Sequence, residues 1–117
     1  MITRRFIQAH PTWLFVFGDN LERRGLGGQA YATRGEFNVF GVATKRAPHN
    51  APSAFFTEFC IDAVMIDLNR LDTVADNWER VVCFPGIGEG RAQLQTRAPK
   101  LLAYIKERLS KYEVLEV

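Results

Sequence analysis

The tightest constraint on the fold is a five-residue apolar run, Trp13-Leu14-Phe15-Val16-Phe17, which Gly18 stops at once. A run with no polar alternation puts hydrophobic side chains on both faces of a strand. Such a strand belongs inside a parallel sheet with helices on either side. The pattern recurs at Arg80-Val81-Val82-Cys83-Phe84, ended by Pro85 and Gly86. Each strand is followed by a glycine loop and then by a helical pattern. This alternation predicts a single layered α/β domain over residues 1–117, with a central, mainly parallel mixed sheet flanked by helices. The chain is 47% hydrophobic, which is enough to build one core of that size.

The remaining elements follow from local pattern. Met1 to Ala9 mixes β-formers with arginines and is broken by His10-Pro11, so it reads as a short edge strand. A short helix is expected from Gly28 to Arg34, and a strand from Phe37 to Thr44 ending at Lys45. Ser53 is the expected N-cap of the longest helix. Phe56, Phe59, Ala63 and Ile66 would form its buried stripe, with Glu58, Asp62, Asp67 and Arg70 facing water. Phe55, Phe56 and Phe59 read as core residues, one of them also suited to back an adenine ring, and Trp78 as a packing residue. Asp76 and Asn77 mark a loop. A final helix is expected from Thr96 to Lys111, with Pro99 in its first turn and Leu101, Leu102, Ile105 and Leu109 inward. Val114 to Val117 reads as a last strand.

Charge and cysteine usage narrow the function classes. The net charge is +2, and eleven of the fifteen basic residues are arginine, whose fork suits phosphate. So mild an excess does not by itself imply nucleic acid. Cys60 and Cys83 each sit in an apolar run without CxxC spacing, so two buried free thiols in a reducing cytoplasm are expected. No apolar segment follows Arg4-Arg5 or reaches spanning length, so neither a secretory leader nor a membrane partner is expected. His10 and His49 stand alone beside prolines, which argues against a metal site, and no cofactor is implied. His49 lies close enough to Lys45 to be a secondary acid/base candidate.

The chemistry is expected in the loops. In a parallel sheet every strand-to-helix loop opens on the same edge, where α/β domains bind ligands. Glycines let backbone N–H groups approach an anion, and two such loops suit two linked phosphates. Candidate ligand-binding residues are therefore Gly18, Asp19, Asn20, Arg24, Gly25, Gly27, Gly28 and Gln29 in the first loop. Thr44 joins them at the end of the middle strand. The second loop supplies Gly86, Ile87, Gly88, Glu89, Gly90 and Arg91. The plain alternative is that these glycines only make tight turns. Asp19 fits ribose hydroxyls or the capping of a turn equally well, while Asn20 fits the ligand role slightly better. Neither loop has Walker A or GxGxxG spacing, so ATP hydrolysis and a Rossmann dehydrogenase lose ground.

Three segments together resemble the macrodomains: Gly18-Asp19-Asn20 with Gly25-Leu26-Gly27-Gly28, then Thr44-Lys45-Arg46-Ala47-Pro48-His49, then Phe84-Pro85-Gly86-Ile87-Gly88-Glu89-Gly90. They are most similar to the branch holding the terminal ADP-ribose glycohydrolases and the antitoxins that remove ADP-ribose from DNA. The resemblance implies that both glycine loops wrap the diphosphate and distal ribose of an ADP-ribose-like nucleotide. It also implies ADP-ribosylated protein or DNA as partners. In hydrolytic members a lysine of the Thr-Lys segment attacks the anomeric carbon, and here that residue is Lys45. The chain departs from the pattern twice. The aspartate expected two residues beyond the loop is Ala92, and no Gly-Asp-Leu segment for adenine precedes Trp13. An ADP-ribosyl glycohydrolase and a non-enzymatic sensing or sequestering module thus both stand. So does a third reading, a nucleic-acid-binding edge built from Arg4, Arg5, Arg23, Arg24, Arg34 and Arg46.

Overall fold

The computed structural model describes residues 1–115 of the chain. Four strands, β1 (Trp13–Asn20), β2 (Val39–Lys45), β3 (Arg80–Cys83) and β4 (Glu113–Val114), form one sheet in the order β2-β1-β3-β4. All three pairings are parallel, so among the described residues the sheet is not mixed as expected. Parallel neighbours require crossovers, and helices supply them. These are α2 (Ala30–Thr33), α3 (Ile61–Val74), and α4 (Leu94–Arg97) with α5 (Pro99–Leu109), while α1 (Arg4–Ala9) precedes the sheet. Leu14 to Phe17 are all buried although successive residues face opposite sides, so both faces of β1 are covered. The expected last strand is reduced to β4; its positions Glu116 and Val117 lie outside the described residues.

The first segment is a helix rather than an edge strand. The Thr3 hydroxyl caps it by accepting from the Phe6 N–H at 3.1 Å, and Ile7 is fully buried. The β-formers among the arginines suggest a strand, but the adjacent apolar pair Phe6-Ile7 fits the wider stripe of a helix. Asn38, also fully buried, ties this helix to the sheet. Its Nδ2 lies 3.0–3.1 Å from the carbonyls of Ile7, His10 and Trp13.

The long helix starts later and turns another face inward than its apolar spacing predicts. Pro52–Ala54 and Glu58–Cys60 are single 3₁₀ turns, and α3 begins only at Ile61. Its buried side is Val64, Asp67, Leu68 and Leu71, whereas Phe59 is 94% exposed and Ile66 58% exposed. Phe55 and Phe56 are core residues as expected. An acid in the middle of the true stripe makes the wrong phase look better. Glu58 does not face water freely either. Its carboxylate accepts from the backbone N–H groups of Lys100 (3.0 Å) and Leu101 (2.8 Å), satisfying donors in the first turn of α5. Pro99 opens α5, and the preceding residue, Ala98, is not helical. The single helix expected from Thr96 is therefore two, α4 and α5. Its apolar stripe is as expected.

Asp67 is in the core because it closes the free edge of the sheet. In β2 the Gly41 carbonyl and Ala43 N–H point away from β1. The first accepts from Arg23 Nη1 at 3.2 Å, and the second donates to Asp67 Oδ2 at 2.7 Å. Arg23 and Asp67 are themselves joined by two bonds of 2.8 and 2.7 Å. The ion pair thus bonds to β2 where a further strand would, which blocks edge-to-edge pairing. Arg23 adopts φ 55°, a left-handed conformation that these contacts hold in place.

Asp62 and Asp67 look alike in sequence, yet only Asp67 is buried. Asp67→Ala leaves Arg23 and the Ala43 N–H without their acceptor. The expected loss is about 2 to 3 kcal/mol, the low end for a broken buried pair because Arg23 is partly exposed. In thermal denaturation this lowers Tm by roughly 10 °C. Asp62→Ala is expected to change Tm by less than about 2 °C.

Candidate functional site

The carboxyl ends of β1, β2 and β3 converge on a cavity of about 490 Å³. Every expected ligand-binding residue except Ile87 lines it, together with Lys45, Ala30, Pro48, Pro85 and Ala92. Ile87 points instead into the core. A bulge shapes the rim: Asp19 pairs with Ala43 but Asn20 pairs with Lys45, so Thr44 is skipped and its hydroxyl donates to the Asp19 carbonyl at 3.2 Å. Gly86, Gly88 and Gly90 all take positive φ, alternating with other residues. Between the last two, Glu89 is extended (φ −93°, ψ −173°), and its N–H closes a turn on the Gly86 carbonyl at 3.0 Å.

Several polar side chains of the wall turn out to be scaffold. The Asp19 carboxylate is held by Arg34 through bonds of 2.7 and 3.0 Å, with Arg23 at 3.8 Å. Asp19 packs so closely on β2 that a Cβ at Gly41 would lie 2.6 Å from its Oδ2. Of the two roles left open for Asp19, the structure shows the local one: its Oδ1 accepts from the Asn20 N–H at 2.8 Å. Asn20 donates through Nδ2 to the Arg24 carbonyl at 2.8 Å, and its buried Oδ1 has no partner among the described residues. Gln29 joins the two loops: Oε1 accepts from the Gly18 N–H at 2.8 Å and Nε2 donates to the Pro85 carbonyl at 2.9 Å. Glu89 pairs with Lys106 at 2.7 Å, and Arg24 with Glu22 at 2.7 Å.

The free groups of the wall, among the described residues, are six loop N–H groups, one oxygen of the Glu89 carboxylate, and the carbonyls of Pro48, Arg91 and Ala92. Among the described residues, no N–H of Gly25, Gly27, Gly28, Gly86, Gly88 or Gly90 donates to a protein atom. The carbonyls of Asn20, Gly27 and Gly28 accept from backbone N–H groups of their own segment, and so do those of Gly86, Gly88 and Gly90. Arg91 has no acidic partner among the described residues. Its guanidinium reaches from the second loop across the first, where a Cβ on Gly27 would lie 2.8 Å from Nη1.

Lys45 is buried, and Nζ donates to the His49 carbonyl at 2.8 Å and lies 3.4 Å from Asn50 Oδ1. The ammonium sits 4.7 Å from the centre of the Phe55 ring, against which the Arg97 guanidinium also packs at 3.6 Å. Burial holds Lys45 below the ordinary lysine range, and the cations Arg91 and Arg97 push it the same way. The exposed His49 does not line the cavity, and its Nδ1 accepts from the Ala51 N–H at 3.2 Å, so it serves as a support for Lys45. Arg97 is the neighbour that motif reading missed; it stands apart from both glycine loops, in α4. Among the described residues no three His, Cys, Asp or Glu side chains converge as metal ligands. Both cysteines are free and buried, and burial raises the Cys83 thiol to about 12.

Gln29→Ala removes the clasp between the loops. The Gly18 amide, which loses its acceptor, is expected to exchange hydrogen at least tenfold faster, at a cost of about 1 kcal/mol in stability. Unchanged exchange at Gly18 would mean that Gln29 does not hold the loop.

The model of one protein family, described as a family of unknown function (DUF7831), matches residues 1–108. No curated protein matches the chain, and no solved structure does. A match over nearly the whole length shows the family plainly: the chain belongs to DUF7831.

Proposed function

We propose that the chain binds ADP-ribose or a related nucleotide in this cavity, gripping the diphosphate between its two glycine loops in the manner of a macrodomain. The observation that carries this reading is an imbalance. Six loop residues whose N–H groups have no acceptor among the described residues line the cavity with the cations Lys45 and Arg91, while its carboxylates, Asp19 and Glu89, are paired with Arg34 and Lys106. Two linked phosphates bring the missing negative charge. At ~4 Å and an effective dielectric near 20, one such opposite pair gains about 4 kcal/mol before desolvation is counted. The macrodomain likeness supplies the rest of the nucleotide, and the two unpaired thiols suit a reducing cytoplasm.

ADP-ribose at a hundredfold over its dissociation constant is expected to stabilise the protein by roughly 2.7 kcal/mol, raising Tm by roughly 10 °C. No shift with ADP-ribose contradicts the proposal. The informative variant is Gly27→Val. Its side chain meets only the mobile end of Arg91, so binding should weaken at least tenfold while the Tm of the free protein stays within about 2 °C. Gly88 is unsuitable for this purpose, because a Cβ there would lie 2.9 Å from Leu94 and 3.0 Å from Leu102 in the core.

A second reading, removal of ADP-ribose from protein or DNA, is favoured by one observation, the lowered Lys45. A less basic amine is the form that can attack an anomeric carbon. If it holds, Lys45→Ala abolishes release of ADP-ribose from a modified substrate, and borohydride traps a covalent adduct in the parent protein only. Turnover that survives Lys45→Ala excludes the lysine mechanism. The nucleic-acid edge has less support. Arg4, Arg23, Arg24 and Arg34, four of its six arginines, are paired with Glu36, Asp67, Glu22 and Asp19.

A further inference from the structure

We infer that the base of the nucleotide lodges in a second, apolar cavity beside the second glycine loop, so that the ligand lies along the strand ends with its terminal ribose at β2 and its base at β4. The inference rests on the function proposed above and adds a binding site to it. The second cavity holds about 320 Å³, and its apolar walls include Phe84, Ile87, Ile105, Leu109 and Val114. Pro85, Gly86 and Glu89 belong to its lining and to that of the first cavity, so the two meet at the second loop.

The sheet order gives the direction. The first cavity lies at the ends of β2, β1 and β3, whereas the second lies past the end of β3, lined by Cys83 and Phe84 with α5 and with Val114 of β4. From β2 to β4 is three strand spacings, roughly 14 Å, so a ligand that reaches both is extended and meets unlike surroundings at its two ends. The β2 end is polar: Asn20, Thr44 and Lys45 line it, which suits a ribose with its several hydroxyls. The β4 end is mostly aliphatic, which suits the faces of a flat heteroaromatic ring, and the two glycine loops with the diphosphate lie between. The edge of a base carries donors and acceptors together and needs partners of both kinds. The few polar side chains of the second cavity supply them. Ser110 Oγ donates to the Glu107 carbonyl at 2.6 Å, which leaves its lone pairs to accept. Lys106, paired with Glu89 at 2.7 Å, is a donor beside the loop.

Magnetic resonance of the protein with ADP-ribose tests the placement. Nuclear Overhauser contacts are expected between the purine ring protons and the methyl groups of Ile105, Leu109 and Val114. Ser110 is exposed at the end of α5, so Ser110→Trp fills the second cavity at little cost to the fold, and it is expected to weaken ADP-ribose about tenfold or more. Base contacts found only elsewhere, or an unchanged affinity in Ser110→Trp, overturn the inference, and the proposed function stands as long as the loop glycine amides respond to ADP-ribose. If ADP-ribose moves neither these methyl signals nor those amides, both fall.

Discussion

Asp19 and Asp67 lie far apart in sequence, yet each carboxylate is buried and each is neutralised by an arginine that belongs to the first loop or to the helix it feeds. Arg34 holds Asp19 and Arg23 holds Asp67, with Arg23 also 3.8 Å from Asp19. A buried carboxylate stripped of its cation costs several kcal/mol, so these four side chains act as a unit. The unit does three things at once. It satisfies the outward groups of β2 at Gly41 and Ala43, pins α3 against the edge of the sheet, and fixes both ends of the segment carrying Gly25, Gly27 and Gly28. Gly41 has to lack a side chain because the Asp19 carboxylate passes over it.

The same arrangement sets the electrostatics of the cavity. Acids near the strand ends are consumed in holding the loops, while Lys45 and Arg91 are left without acids. Loop rigidity and an anion-seeking wall are thus two results of one distribution of charge. Gln29 extends the scaffold across the sheet by bonding to the ends of both apolar strands, which fixes the distance between the loops.

The parts of the fold that were legible in sequence are those that rest on one strong local signal. The apolar run of β1 and the glycines that end it located the central strand and the cavity edge, since a strand buried on both faces admits few alternatives. The glycine loops named nearly every residue of the cavity wall for the same reason. Misreadings arose where a local pattern has two periods or where a tertiary contact decides. Met1 to Ala9 passed for a strand on its β-formers because a six-residue helix is too short to show its period. The phase of α3 was hidden because Asp67, a core residue, looks like a solvated acid until Arg23 and Ala43 are seen beside it. The role of Gln29 as a clasp, and the place of Arg97 beside Lys45, depend on strands and helices far apart in sequence, and no spacing rule reaches them.

The central claim is that the free N–H groups of the two glycine loops hold a diphosphate. Amide chemical shifts measured during titration with ADP-ribose address it directly, because the nine glycines of this chain form a small, separable set of signals. Large shifts at Gly25, Gly27, Gly28, Gly86, Gly88 and Gly90, with Gly35 and Gly41 unmoved, are the predicted result. Shifts confined to other parts of the chain, or none at saturating ADP-ribose, would contradict it.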